Sequence, residues 1–218
     1  MPLKQTHTYA RRARNLLQFD QRFFRGAFFY VKSETDLLYY WQMSKWKSIQ
    51  SAALSSHGIV TFAQAKAMGV YPAELYRWCK SERLTKLNRG VFRLTAYPMY
   101  GWVSDMAAIL ASIGEGAFLY GESALQLYNL CSTRSYVVTV GYPHRLRKAN
   151  LSKGISVIKT PIDYKAKYHN DIATQSPAEA IKSCVGVLEK DRLIEAIDEA
   201  ENQGYLTPHE AAELRAEI

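Results

Sequence analysis

The chain has 218 residues, of which 48% are hydrophobic and 22% charged, and its formal net charge is +8. This composition is typical of a globular protein with one sizeable core or two small ones. The sequence has no apolar run of about 18 residues, which excludes a membrane span, and its N-terminus lacks the apolar stretch of a secretory signal. We therefore expect a cytoplasmic protein, in which three scattered cysteines are buried reduced thiols: Cys79, Cys131 and Cys184.

Positive charge is concentrated in the first half of the chain. Residues 1–100 hold sixteen Lys and Arg against five Asp and Glu, whereas residues 101–218 hold twelve against fifteen. Such an asymmetry favours a polyanionic partner for the first half. Within the second half, residues 134–167 are again basic and residues 168–218 are acidic. The acidic segment can contact the basic region, another subunit or a protein partner, or simply be a solvated face.

Residues 1–43 form a basic and aromatic N-terminal extension without a clear helical or strand period. Arginines interleaved with aromatic rings can bind nucleic acid by charge and stacking. The same composition fits an accessory arm, or an extension translated from an upstream start codon, with Met43 as the alternative start. The interleaved arginines are Arg11, Arg12, Arg14, Arg22 and Arg25.

The segment from residue 44 to residue 97 begins with two predicted helices. Apolar residues at helical spacing predict a first helix over residues 44–56, which His57-Gly58 ends, and Ile59-Val60 is a short extended piece. Thr61 and Gln64 form a capping-box pattern that begins a second helix, and Met68-Gly69-Val70 is a helix stop.

A third helix and a hairpin complete this segment. Pro72 opens a helix that we expect to extend to about Arg83, with Leu75, Trp78 and Cys79 on its inner face. Leu84–Leu87 and Val91–Leu94 read as two strands joined by the Asn88-Arg89-Gly90 turn. This order of elements predicts a winged helix-turn-helix over residues 44–97, in which the third helix enters the major groove of DNA.

The inner face of the third helix fixes which side chains are expected to point outward. Arg77 is the best candidate for a bidentate contact with guanine, and Tyr71 and Tyr76 can contact thymine methyls or phosphates. Basic residues of the wing and of the first helix are better suited to phosphate contacts. The full predicted DNA interface is Tyr71, Glu74, Tyr76, Arg77, Lys80, Lys86, Asn88, Arg89, Arg93, Lys45 and Lys47. The alternatives are solvated surface charges and a winged helix used only for protein contacts.

Residues 98–218 are predicted to form an α+β domain. Helices are expected at residues 102–113, Ser123–Leu130 and Arg192–Gln203, and strands at Tyr136–Val140 and Ile155–Lys159. Capping boxes at Ser176 and Thr207 begin two more helices. A basic loop between the two strands is a possible second DNA-binding patch, with Arg145, Arg147 and Lys148. The fold class is therefore α+β, an N-terminal winged helix-turn-helix followed by a mixed C-terminal domain.

We find no catalytic, cofactor or metal site in the sequence. The five histidines show no metal-ligand spacing, and no phosphate-binding glycine loop occurs. Ser123 lies in Gly-Glu-Ser-Ala, which lacks the closing glycine of a nucleophile elbow. Asp163-Tyr164-Lys165 has the acid and the lysine of a nuclease but no upstream acidic partner. We therefore expect a protein that is not an enzyme.

Together these motifs resemble the AbiEi family, the antitoxins of type IV toxin–antitoxin systems. The resemblance covers about residues 44–210, and its most specific piece is the Arg89-Gly90-Val91-Phe92 run within the wing from Asn88 to Leu94. Further pieces of the winged helix are Gly58 to Ala65, Met68-Gly69-Val70, Leu75-Tyr76-Arg77 and Arg83-Leu84. The later pieces, Gly121 to Leu125 and Asp171 to Ala180, are looser. Residues 1–42 match nothing in the family pattern.

The resemblance implies a function that spacing alone does not give. Such proteins are encoded beside a nucleotidyltransferase-like toxin, and their winged helix binds repeats in the promoter of their own operon. The C-terminal domain is associated with antitoxin activity, and toxin is opposed without a stable complex. On inverted repeats we expect a homodimer or side-by-side binding. The alternative is a stand-alone regulator without a toxin.

Overall fold

The computed structural model describes residues 34–98, 101–130, 136–146 and 153–218. The chain divides into two compact units, Met1–Met43 and Ser44–Ile218. Most of the predicted N-terminal extension, residues 1–33, lies outside the described part. The predicted boundary between residues 97 and 98 falls within the second unit and stays a prediction.

The first described helix, α1, spans Glu34–Leu54 and so begins ten residues before the predicted start at Ser44. The reason is that consecutive apolar residues over 37–41 hide a helical period, although no glycine or proline interrupts the segment. The helix ends through two residues in the left-handed region, His57 at φ 52° and Gly58 at φ 80°. The amide of Gly58 then donates to the carbonyl of Ala53 over 2.7 Å.

Strand β1 (Ile59–Thr61) leads into the two helices of the turn motif, α2 (Phe62–Ala67) and α3 (Pro72–Lys80). The predicted capping box is present, because the Gln64 amide donates to Thr61 Oγ1 and the Thr61 amide donates to Gln64 Oε1. The predicted stop is also present, with Gly69 at φ 72° and the Val70 amide donating to the Ala65 carbonyl.

Helix α3 ends at Lys80 rather than near Arg83. Glu82 takes a left-handed conformation, φ 56°, and the Arg83 amide turns back to donate to the Trp78 carbonyl over 2.9 Å. The chain then enters the wing hairpin, β2 (Leu84–Asn88) and β3 (Val91–Leu94). The two strands and β1 form an antiparallel sheet in the order β1-β3-β2.

These elements enclose one hydrophobic core. Its centre is formed by fully buried side chains of α1, β1 and α3, and Phe92 of β3 covers it from the wing side. Gly58 is needed at the edge of this core because a Cβ there would lie 2.6 Å from Cγ of Tyr97. The core residues include Ile49, Ala53, Val60, Ala65, Val70, Leu75, Trp78, Leu84 and Leu94.

The second half contains a five-stranded mixed sheet flanked by helices. The elements are α4 (Trp102–Ile113), β4 (Phe118–Leu119), α5 (Glu122–Leu127), β5 (Val138–Tyr142), β6 (Ile155–Lys159), β7 (Lys167–His169), β8 (Ile172–Thr174), α6 (Pro177–Cys184), α7 (Lys190–Asn202) and α8 (Pro208–Glu217). The strands are ordered β6-β5-β4-β8-β7, and β5–β6 and β4–β8 are the parallel pairs.

The predictions for this half locate its helices better than its strands. The bounds of α4 and β6 are as predicted, whereas β5 lies two residues later and α5 is three residues shorter at its end. Strands β4, β7 and β8 were not predicted, because two or three residues are too few to show a strand period. The fold class itself, mixed α+β with the winged helix first, is confirmed.

Capping boxes begin α6 and α8 as predicted. At α6 the Glu179 carboxylate accepts from the Ser176 amide at 3.0 Å and from the Ser176 hydroxyl at 2.7 Å. Burial raises the pKa of Glu179, but these hydrogen bonds and one from Tyr164 outweigh it and hold that pKa below its ordinary value. At α8 the Glu210 carboxylate makes the same two contacts with Thr207.

The winged helix is joined to the second half through α4 and the β7–β8 turn. Ser104 Oγ of α4 donates to the carbonyl of His57 over 2.9 Å, and His57 Nε2 donates to the carbonyl of Asn170 over 2.7 Å. Both contacts fix the loop that ends α1. None of the described helices combines the length and the low polarity that crossing a bilayer requires.

Candidate nucleic-acid interface

The outward face of α3 is narrower than the sequence suggested. Successive residues of a helix are about 100° apart, and Leu75 and Trp78 are buried in the first core. The opposite direction is therefore occupied by Ala73, Arg77 and Lys80, all of which are exposed. Glu74 and Tyr76 lie on the two flanks of this face, one toward α1 and one toward the wing.

On the flank toward α1, two residues that were predicted to face outward are largely buried instead. Lys45 and Glu74 were expected to face outward, but their side chains are only 6% and 13% exposed, and Lys45 Nζ lies 3.0 Å from Glu74 Oε2. The pair joins α1 to α3 across the core boundary. The sequence already indicated that Glu74 caps its own helix, because Glu74 has the same spacing from Tyr71 as the capping residue Gln64 has from Thr61.

The ion pair also fixes the first turn of α3. Glu74 Oε2 accepts the amide of Tyr71 over 2.9 Å, and Lys45 Nζ lies 5.3 Å from the centre of the Tyr71 ring. Tyr71 as a residue remains 60% exposed. In helix-turn-helix proteins the N-terminal residues of this helix contact base edges. The contacts of Glu74 and Lys45 therefore fix Tyr71 at the N-terminal end of α3.

The flank toward the wing brings together residues from three elements. Tyr76 of α3 lies edge-on to Phe92 of β3, with ring centres 6.3 Å apart. Lys86 Nζ of β2 lies 5.3 Å from the centre of the Tyr76 ring. Lys86 and Phe92 are direct partners across the hairpin. The ring of Tyr76 is thus engaged by the wing, unlike that of Tyr71.

The tip of the wing is exposed and basic. The side chain of Asn88 accepts the amide of Arg89 over 2.7 Å, and Gly90 takes φ 78°, as the predicted turn requires. Arg89 is exposed at this tip, and Lys47 is exposed on α1. Arg83, which the sequence prediction did not include, is exposed between α3 and the wing, with its guanidinium 5.3 Å from the centre of the Trp46 ring.

Arg93 does not belong to this exposed surface, although it was predicted there. Its side chain is 15% exposed, and Nη2 donates to Asp105 Oδ1 of α4 over 2.7 Å. Arg93 therefore ties the wing to the second half. Five of the predicted cations are exposed and form no ion pair with any carboxylate in the described ranges: Lys47, Arg77, Lys80, Lys86 and Arg89.

The predicted second basic patch is only partly described. Arg145 is exposed in the loop after β5, whereas Arg147 and Lys148 lie outside the described residues. The structure does not bring Arg145 into contact with the wing or α3 through any hydrogen bond or ion pair of the described part.

The nuclease-like triplet has a structural role in the described chain. The ring of Tyr164 stacks on Phe118 with 4.5 Å between centres, and its hydroxyl donates to Glu179 over 2.9 Å. Burial and this hydrogen bond raise the pKa of Tyr164 well above its ordinary value. Ser123 Oγ accepts the amide of Thr139. Among the described residues, no group of three or more His, Cys, Asp and Glu could hold a metal ion.

Comparisons with known proteins bear on the winged helix. A similar solved structure is the crystal structure of the RV2827C protein from Mycobacterium tuberculosis, which is 11% identical and has a TM-score of 0.40, with 79% of this chain and 81% of that chain covered. No curated protein matches the chain significantly. Residues 48–95, which contain the whole helix-turn-helix and wing, match the family of AbiEi antitoxin transcriptional regulators, as the sequence resemblance predicted.

Proposed function

We propose that this chain is a DNA-binding transcriptional repressor of the AbiEi antitoxin type. The observation that carries the proposal is the outward face of α3, where Ala73 leaves room for a close approach and Arg77 and Lys80 stand exposed beside it. A helix of this kind fits the major groove, which is about 12 Å wide. Lys86 of the wing contacts Tyr76 on the flank of the same helix and suits an adjacent phosphate, and Arg89 is exposed at the wing tip.

Each exposed side chain then has a separate task. Arg77 contacts a guanine in the major groove, and Tyr71 contacts the neighbouring base edge or its methyl group. Lys80, Lys86, Arg89 and Lys47 contact phosphates and fix the register of the protein on the duplex. Two copies bound to an inverted repeat then cover the promoter of the protein's own operon and prevent transcription.

The antitoxin role is the second part of the proposal and rests on the resemblance to the AbiEi family. In this view the gene lies beside that of a nucleotidyltransferase-like toxin, and residues 98–218 counteract the toxin without a stable complex. No site for a cofactor is needed for repression, and we propose no enzymatic activity. Co-expression with the neighbouring gene tests this part separately, because a stand-alone repressor does not rescue growth.

The DNA-binding part is tested by fluorescence anisotropy of the full chain over a salt series. The probes are a duplex from upstream of its own gene and a shuffled duplex of the same composition. We expect tight, selective binding that weakens steeply with salt. Equal and weak binding to both duplexes contradicts a specific repressor, and no binding at low salt favours a protein-interaction module.

Arg77→Ala provides the sharper test within this experiment. Losing a bidentate base contact costs about 1–3 kcal/mol of binding and relaxes the preference at one base pair. Lys190→Ala is the matched control, since Lys190 is an exposed cation on α7, in the acidic part of the chain. Unchanged affinity and preference in Arg77→Ala rule out the role assigned to Arg77.

A further inference from the structure

Tyr76 and Tyr71 are both exposed aromatic residues of α3, but their surroundings differ. Tyr76 is 48% exposed, and the rest of its ring is covered by Phe92 and by the ammonium group of Lys86. Tyr71 contacts α1 through Lys45 and keeps its outer side open. At about 100° per residue, Ala73 and Lys80 lie nearest the centre of the outward face, and Tyr76 lies about 50° from that centre, on the side toward the wing. This position is suited to holding the wing rather than to reading a base.

The ring of Tyr76 restricts an otherwise flexible cation. A lysine side chain has four rotatable bonds and loses considerable entropy when it is fixed. Here the ammonium of Lys86 is attracted to an aromatic face at 5.3 Å, while the strand pairing with Phe92 fixes the base of the side chain. Lys86 is therefore directed to the seam between α3 and the wing, where a bound duplex would present its backbone between the two elements.

We propose that Tyr76 is a positioning residue that holds Lys86 for one DNA phosphate at the seam between α3 and the wing. This inference rests on the proposed DNA-binding function and assigns Tyr76 no contact with a base. It also makes the phosphate contact of the wing dependent on the position of α3, so that the two elements dock on DNA as one unit.

The test compares Tyr76→Phe, Tyr76→Leu, Lys86→Ala and the Tyr76→Leu/Lys86→Ala double variant on the specific and shuffled duplexes over a salt series. Phenylalanine keeps the aromatic face, so Tyr76→Phe should bind as the wild type does. Losing the cation–π contact at an exposed site should weaken Tyr76→Leu about two- to fivefold on both duplexes alike. In the Lys86→Ala background, Tyr76→Leu should have no further effect, because the cation that it positions is gone.

Other outcomes separate the two levels of the proposal. If the wild type binds no DNA at low salt, the proposed function fails. If the wild type binds and Tyr76→Leu loses affinity only for the specific duplex, Tyr76 reads sequence and the positioning role is wrong. The positioning role is also wrong if the losses of affinity caused by Tyr76→Leu and Lys86→Ala are fully additive in the double variant. A second measurement, by NMR, needs neither DNA nor a folded Tyr76→Leu variant. The ring current of the aromatic side chain at position 76 should shift the resonances of the Lys86 ε-methylene protons upfield in the wild type and in Tyr76→Phe. Unshifted resonances contradict the contact.

Discussion

The buried ion pair between Lys45 and Glu74 gives a prediction about stability whose size follows from its burial. Lys45→Met removes the ammonium with little change in volume and leaves the Glu74 carboxylate, 13% exposed, in a site shaped for a cation. Breaking a buried pair by removing one partner costs about 3–5 kcal/mol, because the remaining charge is no longer compensated. Since neither side chain is completely buried, we expect a loss near 3 kcal/mol, the lower end of this range.

The assay is chemical unfolding followed by tryptophan fluorescence. Trp46 and Trp78 contact each other in the first core, with ring centres 5.2 Å apart, so their emission reports on the winged helix. Lys47→Met is the matched control, because Lys47 lies on the same helix but is exposed. A surface substitution of this kind should change stability by less than about 0.5 kcal/mol.

A double variant separates the charge effect from the loss of packing. Lys45→Met/Glu74→Gln removes both charges, and the glutamine oxygen can still accept the amide of Tyr71. We therefore expect the double variant to be more stable than Lys45→Met alone. If Lys45→Met is no less stable than Lys47→Met, or if the second substitution gives no recovery, the pair is not desolvated and the reasoning is wrong.

Three further predictions concern docking, backbone strain and pH. Ala73→Glu should abolish DNA binding without unfolding the protein, whereas Ala212→Glu on exposed α8 should leave binding intact in the same anisotropy assay. Gly58→Ala should destabilise the protein by more than Gly69→Ala. An alanine at either position has an unfavourable positive φ, which costs about 1–2 kcal/mol, but only the Cβ at residue 58 also meets a tyrosine ring. Equal losses of stability in thermal unfolding would contradict the steric argument. Glu179 has a lowered pKa in the folded protein, so its contribution to the free energy of unfolding is fully present above its ordinary, unfolded pKa and is lost as the pH falls through the lower, folded value. Glu179→Gln should therefore make the free energy of unfolding depend less on pH in this acidic range. If the variant has the same pH dependence as the wild type, the assignment to Glu179 is wrong.

The winged helix could be predicted almost element by element because its boundaries have local signals. The Thr61 capping box, the glycine stop at Gly69, proline at the start of α3 and the glycine turn at Gly90 each depend on a few adjacent residues. Such signals can be recognised in the sequence without any knowledge of the tertiary structure. The start of α1 was missed because its consecutive apolar residues conceal a helical period, not because the segment is a poor helix former.

The parts that could not be predicted depend on residues far apart in the chain. Strand β4 has two residues and pairs through Leu119 with Thr174, so the five-stranded sheet exists only once the chain has folded. Lys45 and Glu74 are 29 residues apart, and no local rule shows that their charges cancel. Arg93 lies four residues after the exposed Arg89 of the wing tip, yet its own strand is largely buried and its guanidinium donates to Asp105 of α4.

The ion pairs of Lys45 and Arg93 reduce the number of cations that can contact phosphates, and this number sets how strongly the predicted DNA binding depends on salt. If every predicted phosphate-binding cation acted, six would do so: Lys45, Lys47, Lys80, Lys86, Arg89 and Arg93. The logarithm of affinity would then fall with the logarithm of salt concentration with a slope of about −5.4 per protomer, since each phosphate contributes about −0.9. Because Lys45 and Arg93 are engaged by carboxylates, we expect four contacts and a slope of about −3.6. A measured slope near the larger value would mean that more than these four cations contact phosphates. The slope of an Arg83→Ala variant then distinguishes a contribution from the exposed Arg83 from a rearrangement that breaks the ion pairs with Glu74 and Asp105.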